Sequence, residues 1–465
     1  METREFVWTR GHVVALVALC LAQVLDAVDS TVVNVALPAI KDELAFSAAD
    51  LSWVVNAYMV PFGGFLLLGG RLGDLLGHRR VLVGGITLFT GASLVAGLAP
   101  SAGVLVGGRA VQGLAAALVA PMTLAMITLI FPEGRPRSRA LAVWGTATAV
   151  SSALGLVAGG LLADGPGWRW IFFINVPIGV LLVVVAGRVL PTRREPQPGR
   201  GFDAVGAVTV TVGVGLLIYA VLRAEWGLLL VGAALLGYFA VHENAVARRP
   251  LVDFGLFRIR SVAGANLIQV VRASALFGLF YLATLFMQEV LGFSALVTGL
   301  AYVPLTVVMV GASWLGPLLV RRLGARPVLA FGALVVAAGL LPLAWISPDA
   351  GLLVSLIVPM VVVGAGHGIM VVPLTDAALS GVPSSASGVA AAVLNVSAQL
   401  GGALGLAVLA TAAAARTDDR LEAGTPLSTA LTDGYGLAFV MSAVLMALCA
   451  ALAITFFHGG KDPAV

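Results

Sequence analysis

Long apolar stretches, separated by short breaks rich in charge, glycine or proline, run along the whole chain of 465 residues. The stretches reach about 20 residues or more, which is the length that a helix needs to cross about 30 Å of hydrocarbon. They lack the two-residue alternation of membrane β-barrel strands. We therefore predict an all-α polytopic membrane protein with 14 spans, near residues 12–38, 51–70, 81–99, 103–131, 140–163, 171–190, 204–222, 227–242, 261–287, 296–320, 327–346, 352–378, 387–412 and 433–457.

The composition agrees with lipid as the solvent. Hydrophobic residues make up 60% of the chain and charged residues 11%, and no water-soluble fold hides that much apolar surface. The 56 glycines suit helices that pack closely in a membrane through small faces. Cys20 and Cys449, the two cysteines, lie inside apolar stretches, so we interpret them as small core residues and expect neither a disulfide nor a metal site.

The distribution of Lys and Arg predicts the orientation. If the chain starts inside, the predicted inner segments hold 20 of these residues and the outer loops hold five. Because Lys and Arg mark cytoplasmic loops, we predict cytoplasmic termini and a multi-pass protein of the cell membrane. The net charge of +4 then requires no nucleic-acid partner.

An internal repeat divides the chain. The loop "GRLGDLLGHRR" (Gly70 to Arg80) has a degraded echo in "PLLVRRLGARP" (Pro317 to Pro327), each between two apolar spans. A GxxxG pair follows each loop at matched spacing, 78 residues after Gly77 and 77 after Gly324. These pairs are Gly155 with Gly159 and Gly401 with Gly405. We predict two six-helix halves, 1–190 and 261–465, joined by a segment, 191–260, that carries two inserted helices; repeated halves of this kind are typical of secondary transporters.

Two acids interrupt the first span, "LAQVLDAVDSTVVNVALP" (21–38). An ionised Asp at mid-depth costs about 2.5 to 3.5 kcal/mol on insertion scales, so Asp26 and Asp29 indicate function. Gln23, Ser30 and Asn34 share their helix face, which we expect to line a water-accessible cavity. Because the two carboxylates are one turn apart, we expect them to titrate as a coupled unit and to carry protons. The alternative for Asp26 is a structural pairing that holds the helix.

Arg272, in the ninth span, is another charge at mid-depth. By the offset of about 247 residues between the halves, Arg272 corresponds to Leu25 or Asp26, so the two halves could present opposite charges across one cavity. We therefore predict that Arg272 is a counter-ion of Asp26 in part of the transport cycle. A structural ion pair within its own half is the alternative.

Four stretches resemble a known family. They are "VDSTVVNVALP" in span 1, "GRLGDLLGHRR" between spans 2 and 3, "GRAVQGLAAALVAP" in span 4 and "GWRWIFFINVPIG" at the start of span 6. Together they resemble the major facilitator superfamily, and within it the 14-span drug:proton antiporters. Two positions depart from that pattern. Leu156 stands where the antiporter motif of span 5 has proline, and Ala398 stands where many relatives carry arginine in span 13.

The resemblance implies roles for particular residues. Asp29 takes the acidic position of span 1, and Arg109 takes the position of a buried arginine that modulates the proton affinity of the acid. A cytoplasmic gate is implied at the loop between spans 2 and 3, in which Asp74 faces the start of span 13 near Ser384 to Gly388. The gate positions are Gly70, Asp74, Gly77, Arg79 and Arg80. The GxxxG pairs would let spans 5 and 13 pack closely against their neighbours and slide during the gating motion, and plain helix packing is the alternative.

Polar and aromatic positions provide candidates for a substrate cavity. We place there Gln23, Ser30, Asn34, Trp53, Asn56, Tyr58, Phe280, Tyr281, Gln288, Asn395 and Gln399. We interpret His367 as a packed, hydrogen-bonded residue and Glu289 as a solvated acid at the outer rim.

These observations predict proton-coupled efflux of amphipathic organic compounds or drugs by alternating access. The chain would act as a monomer in the lipid bilayer, with protons and a small amphipathic molecule as its partners, and the proton gradient would replace any cofactor. A proton symporter that imports a nutrient is the first alternative, which the missing proline at Leu156 keeps open. A non-transporting membrane sensor is the second. An enzyme is not expected, because the sequence has no Walker loop, metal cluster or nucleophile elbow.

Overall fold

A computed structural model describes residues 8–48, 50–132, 134–192, 203–223, 225–247, 250–252, 254–347, 353–383 and 386–457. Within these ranges the side chains of Asp74, Ala149, Ser152, Ala153, Leu353 and Val354 are outside the description. The described residues form helices and connecting turns, without strands.

We number the helices α1 to α14, and we count consecutive helical segments of one predicted span as a single helix. They are α1 (Arg10–Leu44), α2 (Trp53–Leu76), α3 (His78–Gly97), α4 (Ala102–Ile130), α5 (Arg135–Asp164), α6 (Trp170–Phe173 and Asn175–Val189), α7 (Ala204–Arg223), α8 (Trp226–Val241), α9 (Arg260–Leu285), α10 (Ala295–Ala301, Val303–Ser313 and Leu315–Leu323), α11 (Ala325–Leu343), α12 (Leu353–Ile357 and Val358–Leu379), α13 (Ser387–Glu422) and α14 (Leu427–Phe456).

Each predicted span overlaps one of these helices, and the all-α membrane fold is confirmed. Among the described residues, 13 helices are long and apolar enough to cross a membrane. α5 is not among these 13 helices. Only described residues were counted, and in α5 they leave the shorter apolar stretch Leu154–Asp164. The count of 14 spans and the cytoplasmic position of the termini stay predictions. We call the end of the bundle at which α1 begins the inner end.

α1 is longer than predicted because Pro38 does not end it. The sequence suggests a stop at this proline, but the helix continues to Leu44 and ends where Ala45 adopts a left-handed conformation with φ 52°. A proline is tolerated within a membrane helix because neighbouring groups satisfy the freed backbone carbonyl. At the other end, Thr9 caps the helix by accepting a hydrogen bond from the backbone N–H of His12.

The two halves repeat the same local structure. Gly77 ends α2 and leads into α3 with φ 93°, and Gly324 joins α10 to α11 with φ 87°. Because this left-handed region strains residues with a Cβ, glycine is the residue that makes both tight inner turns. The sequence echo between the two loops therefore corresponds to a repeated turn. The boundaries of the halves stay a prediction.

The GxxxG pairs also have equivalent partners. A Cβ at Gly155 would lie 2.1 Å from Thr31 Oγ1 of α1, so α5 and α1 are in backbone-to-backbone contact there. A Cβ at Gly405 would lie 2.1 Å from Ser274 Cβ of α9, and the Ser274 hydroxyl donates a hydrogen bond to the Gly401 carbonyl at 2.9 Å. Small residues thus fix the first helix of each half against its fifth helix.

The inserted helices lie at the edge of the bundle. α7 packs on α2, where a Cβ at Gly64 would lie 1.9 Å from Thr211 Oγ1. α8 contacts α7 through Gly213 and Gly232 and exposes most of its other side chains. Because α7 also packs against α13, where Ala207 shares an apolar cluster with Val393, the insertion contacts both halves.

Candidate functional site

Asp29 is fully buried at the centre of a polar network inside the N-terminal half. Its Oδ2 forms an ion pair with Arg109 Nη1 of α4. Its Oδ1 accepts hydrogen bonds from Gln112 Nε2 at 3.0 Å and from Asn175 Nδ2 at 2.7 Å. Gln112 also donates to Ser93 Oγ at 2.8 Å, which links the network to α3. Four helices therefore converge on one carboxylate whose oxygens both have donors.

Arg109 is held as firmly as its partner. It is 1% exposed, its Nε donates to the Val54 carbonyl at 3.0 Å, and its Nη1 also donates to Gln112 Oε1 at 3.0 Å. The guanidinium lies 4.5 Å from the centre of the Tyr58 ring, in a cation–π contact. A buried ion pair with this many additional hydrogen bonds is strongly destabilised when one partner is removed.

Asp26 lies one turn earlier on α1 and has a different environment. It is 6% exposed, accepts a hydrogen bond from the Tyr58 hydroxyl, and accepts another from Gln23 Nε2 at 3.1 Å. Among the described residues no Lys or Arg is paired with it, and it borders a small cavity lined by α1, α3 and α4. Gln23 is fixed in turn by the Thr123 hydroxyl at 3.2 Å. The two acids therefore differ: Asp29 has a cation, whereas Asp26 has neutral donors.

The polar face of α1 is thus largely enclosed, in contrast to our expectation that it lines an open cavity. Gln23 and Asn34 are buried, and the Asn34 amide donates to carbonyls of its own helix, as does the Ser30 hydroxyl. Helical periodicity identifies a polar face, but it does not distinguish water from polar groups of neighbouring helices.

Three members of the Asp29 network were missed from the sequence. Ser93, Gln112 and Asn175 come from three helices, and no local pattern marks them as partners. A signal was present for two of them, because Gln112 lies inside "GRAVQG" with Arg109 and Asn175 lies inside "FFINVPIG".

Arg272 does not pair with Asp26 in this structure. Its Nε and Nη2 donate to Gln269 Oε1 of the same helix at 3.1 and 3.0 Å. The alternative of an ion pair within its own half is not seen either among the described residues. An offset between two repeats aligns backbone positions, and an error of one residue turns a helical side chain by 100°, so the offset cannot predict a contact.

The substrate-cavity candidates are dispersed. Tyr58 belongs to the Asp26 site, Trp53 lies against Tyr219 of α7 with ring centres 6.5 Å apart, and Phe280 lies against Tyr302 at 5.1 Å. Asn56 and Tyr281 are buried, and neither side chain has a hydrogen-bond partner within the described chain.

Two further candidates lie on α13. Asn395 is exposed, and Gln399 lies against Gly63 of α2 at the contact between the halves. Gln288 and Tyr281 also lie between the halves, at the outer end. The structure does not gather the whole set around one cavity.

The outer ends of the halves are bonded to each other. Lys41 of α1 pairs with Glu289, just after α9, at 2.5 Å, and Tyr435 of α14 donates to the other Glu289 oxygen at 2.7 Å. Gln288 Nε2 donates to the Val35 carbonyl at 2.8 Å. Glu289 is therefore not the solvated rim acid that we predicted, because a lysine of the other half covers it.

A second outer contact joins α5 to α10. The Asp164 carboxylate accepts hydrogen bonds from the backbone N–H groups of Ala295 at 2.9 Å and Leu296 at 2.8 Å. These N–H groups begin α10, so an acid from one half caps a helix of the other. Close by, a Cβ at Gly299 would lie 2.3 Å from the Leu156 carbonyl.

The predicted inner gate is described only in part. Gly70 lies near Pro121 of α4, Gly77 forms the turn discussed above, Arg79 is partly exposed and Arg80 is exposed. The side chain of Asp74 and residues 384–385 lie outside the described residues, so its predicted contact with the start of α13 stays a prediction.

His367 of α12 differs from its interpretation as a hydrogen-bonded core residue. It is fully buried, and within the described chain neither ring nitrogen has a hydrogen-bond partner. Cys20 and Cys449 are buried free thiols, as expected for core residues.

Known transporters share this fold over the whole chain. A bacterial homologue of the human lysosomal transporter Spinster, in an inward-facing and occupied conformation, aligns with a TM-score of 0.70 at 18% identity and covers 97% of this chain and 98% of that one. A D-xylose–proton symporter aligns with a TM-score of 0.68 at 14% identity and covers 96% of this chain and 98% of that one. At these identities the likeness concerns the fold alone.

Sequence relatives are more similar. The cephamycin export protein CmcT of Amycolatopsis lactamdurans is 38% identical over 449 residues, which cover 94% of this chain and 91% of that protein. The puromycin resistance protein pur8 of Streptomyces alboniger is 37% identical and covers 94% of this chain and 90% of its own length. The family model of the Major Facilitator Superfamily matches residues 19–406. The chain therefore belongs to the Major Facilitator Superfamily.

Proposed function

We propose that this protein exports amphipathic organic compounds in exchange for protons, by alternating access. The observation that carries the proposal is the similarity, over nine-tenths of both chains, to proteins named for the export of cephamycin and for resistance to puromycin. Transport needs no bound cofactor in this scheme, because the proton gradient supplies the free energy. We further propose that the protein acts as a monomer in the cell membrane.

Asp26 is our candidate for the proton carrier. It can take up a proton without breaking an ion pair, whereas protonation of Asp29 would leave Arg109 buried without a counter-charge. Tyr58 and Gln23 donate to different oxygens of Asp26, and one of these hydrogen bonds is kept on the carbonyl oxygen that remains when Asp26 is protonated. Asp29 and Arg109 would then be positioning residues that fix α1 against α4 and set the field at Asp26.

Alternating access requires contacts that open at one end while others form at the other. The outer contacts between the halves, at Glu289 and Asp164, would break when the substrate is released outside. In this proposal the glycine pairs of α5 and α13 serve close packing and not sliding, so that each half moves as a rigid unit. In the proposed cycle the substrate enters from the cytoplasm or the inner leaflet with Asp26 ionised, and protonation from outside accompanies its discharge.

The direction of proton flow tests the function. Everted membrane vesicles without an initial pH gradient receive a cephamycin, and a dye reports the lumenal pH. An antiporter moves protons out of the lumen as the cephamycin enters, so the lumen becomes more alkaline; a symporter acidifies it, and a sensor leaves it unchanged. We expect the native protein to make the lumen alkaline and Asp26→Asn to move no protons. Arg188→Gln, which removes an exposed charge at the end of α6, is the control and should behave like the native protein.

A further inference from the structure

Arg272 is a membrane-embedded cation that the proposed proton pathway does not use. It lies 12 residues beyond the start of α9, or about 18 Å along the helix. Among the residues that the structure describes, no carboxylate is within ion-pair distance of its guanidinium, and Gln269 is its hydrogen-bond partner. An arginine at this depth is costly and is retained for a partner or a function.

Gln269 orients the Arg272 guanidinium but accepts hydrogen bonds from only some of its N–H groups. An arginine has five N–H groups in a planar fork, and two of them, on Nε and Nη2, are directed at the single Gln269 oxygen. The three remaining N–H groups include both on Nη1 and can bind two oxygens of one anion side by side. Arg272 lies on α9, which packs against α12 and α14, and its side chain is partly accessible.

A second polar group with unused hydrogen-bonding capacity lies nearby. His367 lies on α12, which packs against α9, and it is fully buried with both ring nitrogens unpartnered in the described chain. A neutral imidazole carries one N–H that can donate to an oxygen acceptor. Two helices of the C-terminal half therefore present donors, and no acid among the described residues of that half accepts from them.

We infer that Arg272 binds an anionic group of the transported compound, with Gln269 as the residue that positions its guanidinium. The inference rests on the proposed transport function and specifies its substrates as amphipathic molecules that carry a carboxylate or a comparable anion. A lipophilic cation would meet an uncompensated like charge at this point. The acid nearest in the repeat, Asp26, has its own partners in the N-terminal half.

The test measures binding without transport. The full-length protein in detergent is titrated with 1-pyrenebutyrate, an anion, and with 1-pyrenebutanol, its neutral counterpart of similar size. Energy transfer from the tryptophans, of which the chain has eight, to pyrene reports the bound probe. The native protein should bind the anion more tightly. Because a charge-assisted hydrogen-bonded pair is lost, Arg272→Gln should weaken pyrenebutyrate binding about 10- to 100-fold and pyrenebutanol binding less than about threefold.

A second variant supplies the counter-charge without removing the arginine. Gln269→Glu keeps the side-chain size and places a carboxylate where the amide oxygen lies 3.0 Å from the guanidinium. It should compete with the probe and reduce pyrenebutyrate binding as Arg272→Gln does, while Arg272→Lys retains part of it. Arg188→Gln, which removes an exposed charge, serves as the control and should bind both probes like the native protein.

Equal affinities of the native protein for the two probes, or an equal loss of both in Arg272→Gln, overturn the inference. So does a loss that disappears in an Asp26→Asn background, because that result would assign Arg272 to Asp26. The assay has no proton gradient and no turnover, so proton-coupled export can fail while the anion site is confirmed, and the anion site can fail while export is confirmed.

Discussion

The same atomic change at two positions one turn apart on α1 should lower the free energy of unfolding by very different amounts. Asp29→Asn removes the counter-charge of Arg109, which is 1% exposed. Breaking a buried ion pair by removing one partner costs about 3–5 kcal/mol, because the other charge stays buried. We therefore expect Asp29→Asn to lower the free energy of unfolding by about 3–5 kcal/mol and to reduce the yield of folded protein.

Asp26→Asn should destabilise the protein much less. The Tyr58 hydroxyl can donate to the asparagine oxygen as it does to the carboxylate. Gln23 then faces the asparagine NH₂, so one hydrogen bond is lost, which costs about 1 kcal/mol. No cation is left without a partner at this position in the described chain. The predicted difference between the two variants is thus about 2–4 kcal/mol.

Unfolding of the purified chain by sodium dodecyl sulfate in mixed micelles, followed by circular dichroism, measures both values. The double variant Asp29→Asn/Arg109→Gln is the control, since it removes both charges and should recover part of the loss through a favourable coupling energy. The reasoning is refuted if Asp29→Asn unfolds at the same detergent ratio as the native protein, or if Asp26→Asn is the less stable of the two.

Three further predictions concern the contacts between helices. Lys41→Met or Glu289→Gln removes the ion pair at 2.5 Å and should favour outward opening, which lengthens the distance between spin labels on the loops after α1 and α13. The double variant that exchanges the two charges should restore the native distance, and unaltered distances in the single variants would contradict a gate at this pair. Gly405→Ala should destabilise by about 1–3 kcal/mol, because its Cβ would lie 2.1 Å from the facing helix, whereas Gly388→Ala has nothing within 4 Å and should be neutral in the same unfolding assay. Asp164→Asn weakens the cap of α10 by about 1 kcal/mol and should speed hydrogen exchange at the start of that helix; unchanged exchange would show that the cap is dispensable.

Much of the fold follows from the sequence because lipid imposes it. Backbone groups in hydrocarbon must be satisfied within each segment, so an apolar stretch of sufficient length has one structure available to it. The glycine pairs also predict packing, since Gly155 and Gly405 lie where neighbouring helices are in close contact. The errors occur at helix ends, as at Pro38, where propensity competes with neighbouring contacts.

The site is harder to predict, because its contacts cross between helices. Asp26 and Tyr58 are 32 positions apart, and Asp29 and Asn175 are 146 apart. Periodicity gives the face of α1 but not the partner on the facing helix. The resemblance to a family suggests that Arg109 acts on an acid, while the choice between the two acids requires coordinates.

The charges of Asp26 and Arg272 determine how strongly the membrane potential drives export. Asp26 on α1 and Arg272 on α9 lie in corresponding helices, and neither is neutralised by an ion pair within the described chain. Exchange of one proton for a neutral compound moves one charge, which yields about 2.3 kcal/mol at 100 mV and a gradient on the order of 40-fold. Exchange of one proton for a monoanion moves two charges, which yields about 4.6 kcal/mol and a gradient on the order of 10³-fold. An anion-binding arginine in one half and a proton-binding acid in the other would therefore make export depend more steeply on membrane potential for pyrenebutyrate than for pyrenebutanol, and equal steepness would contradict the pairing of roles.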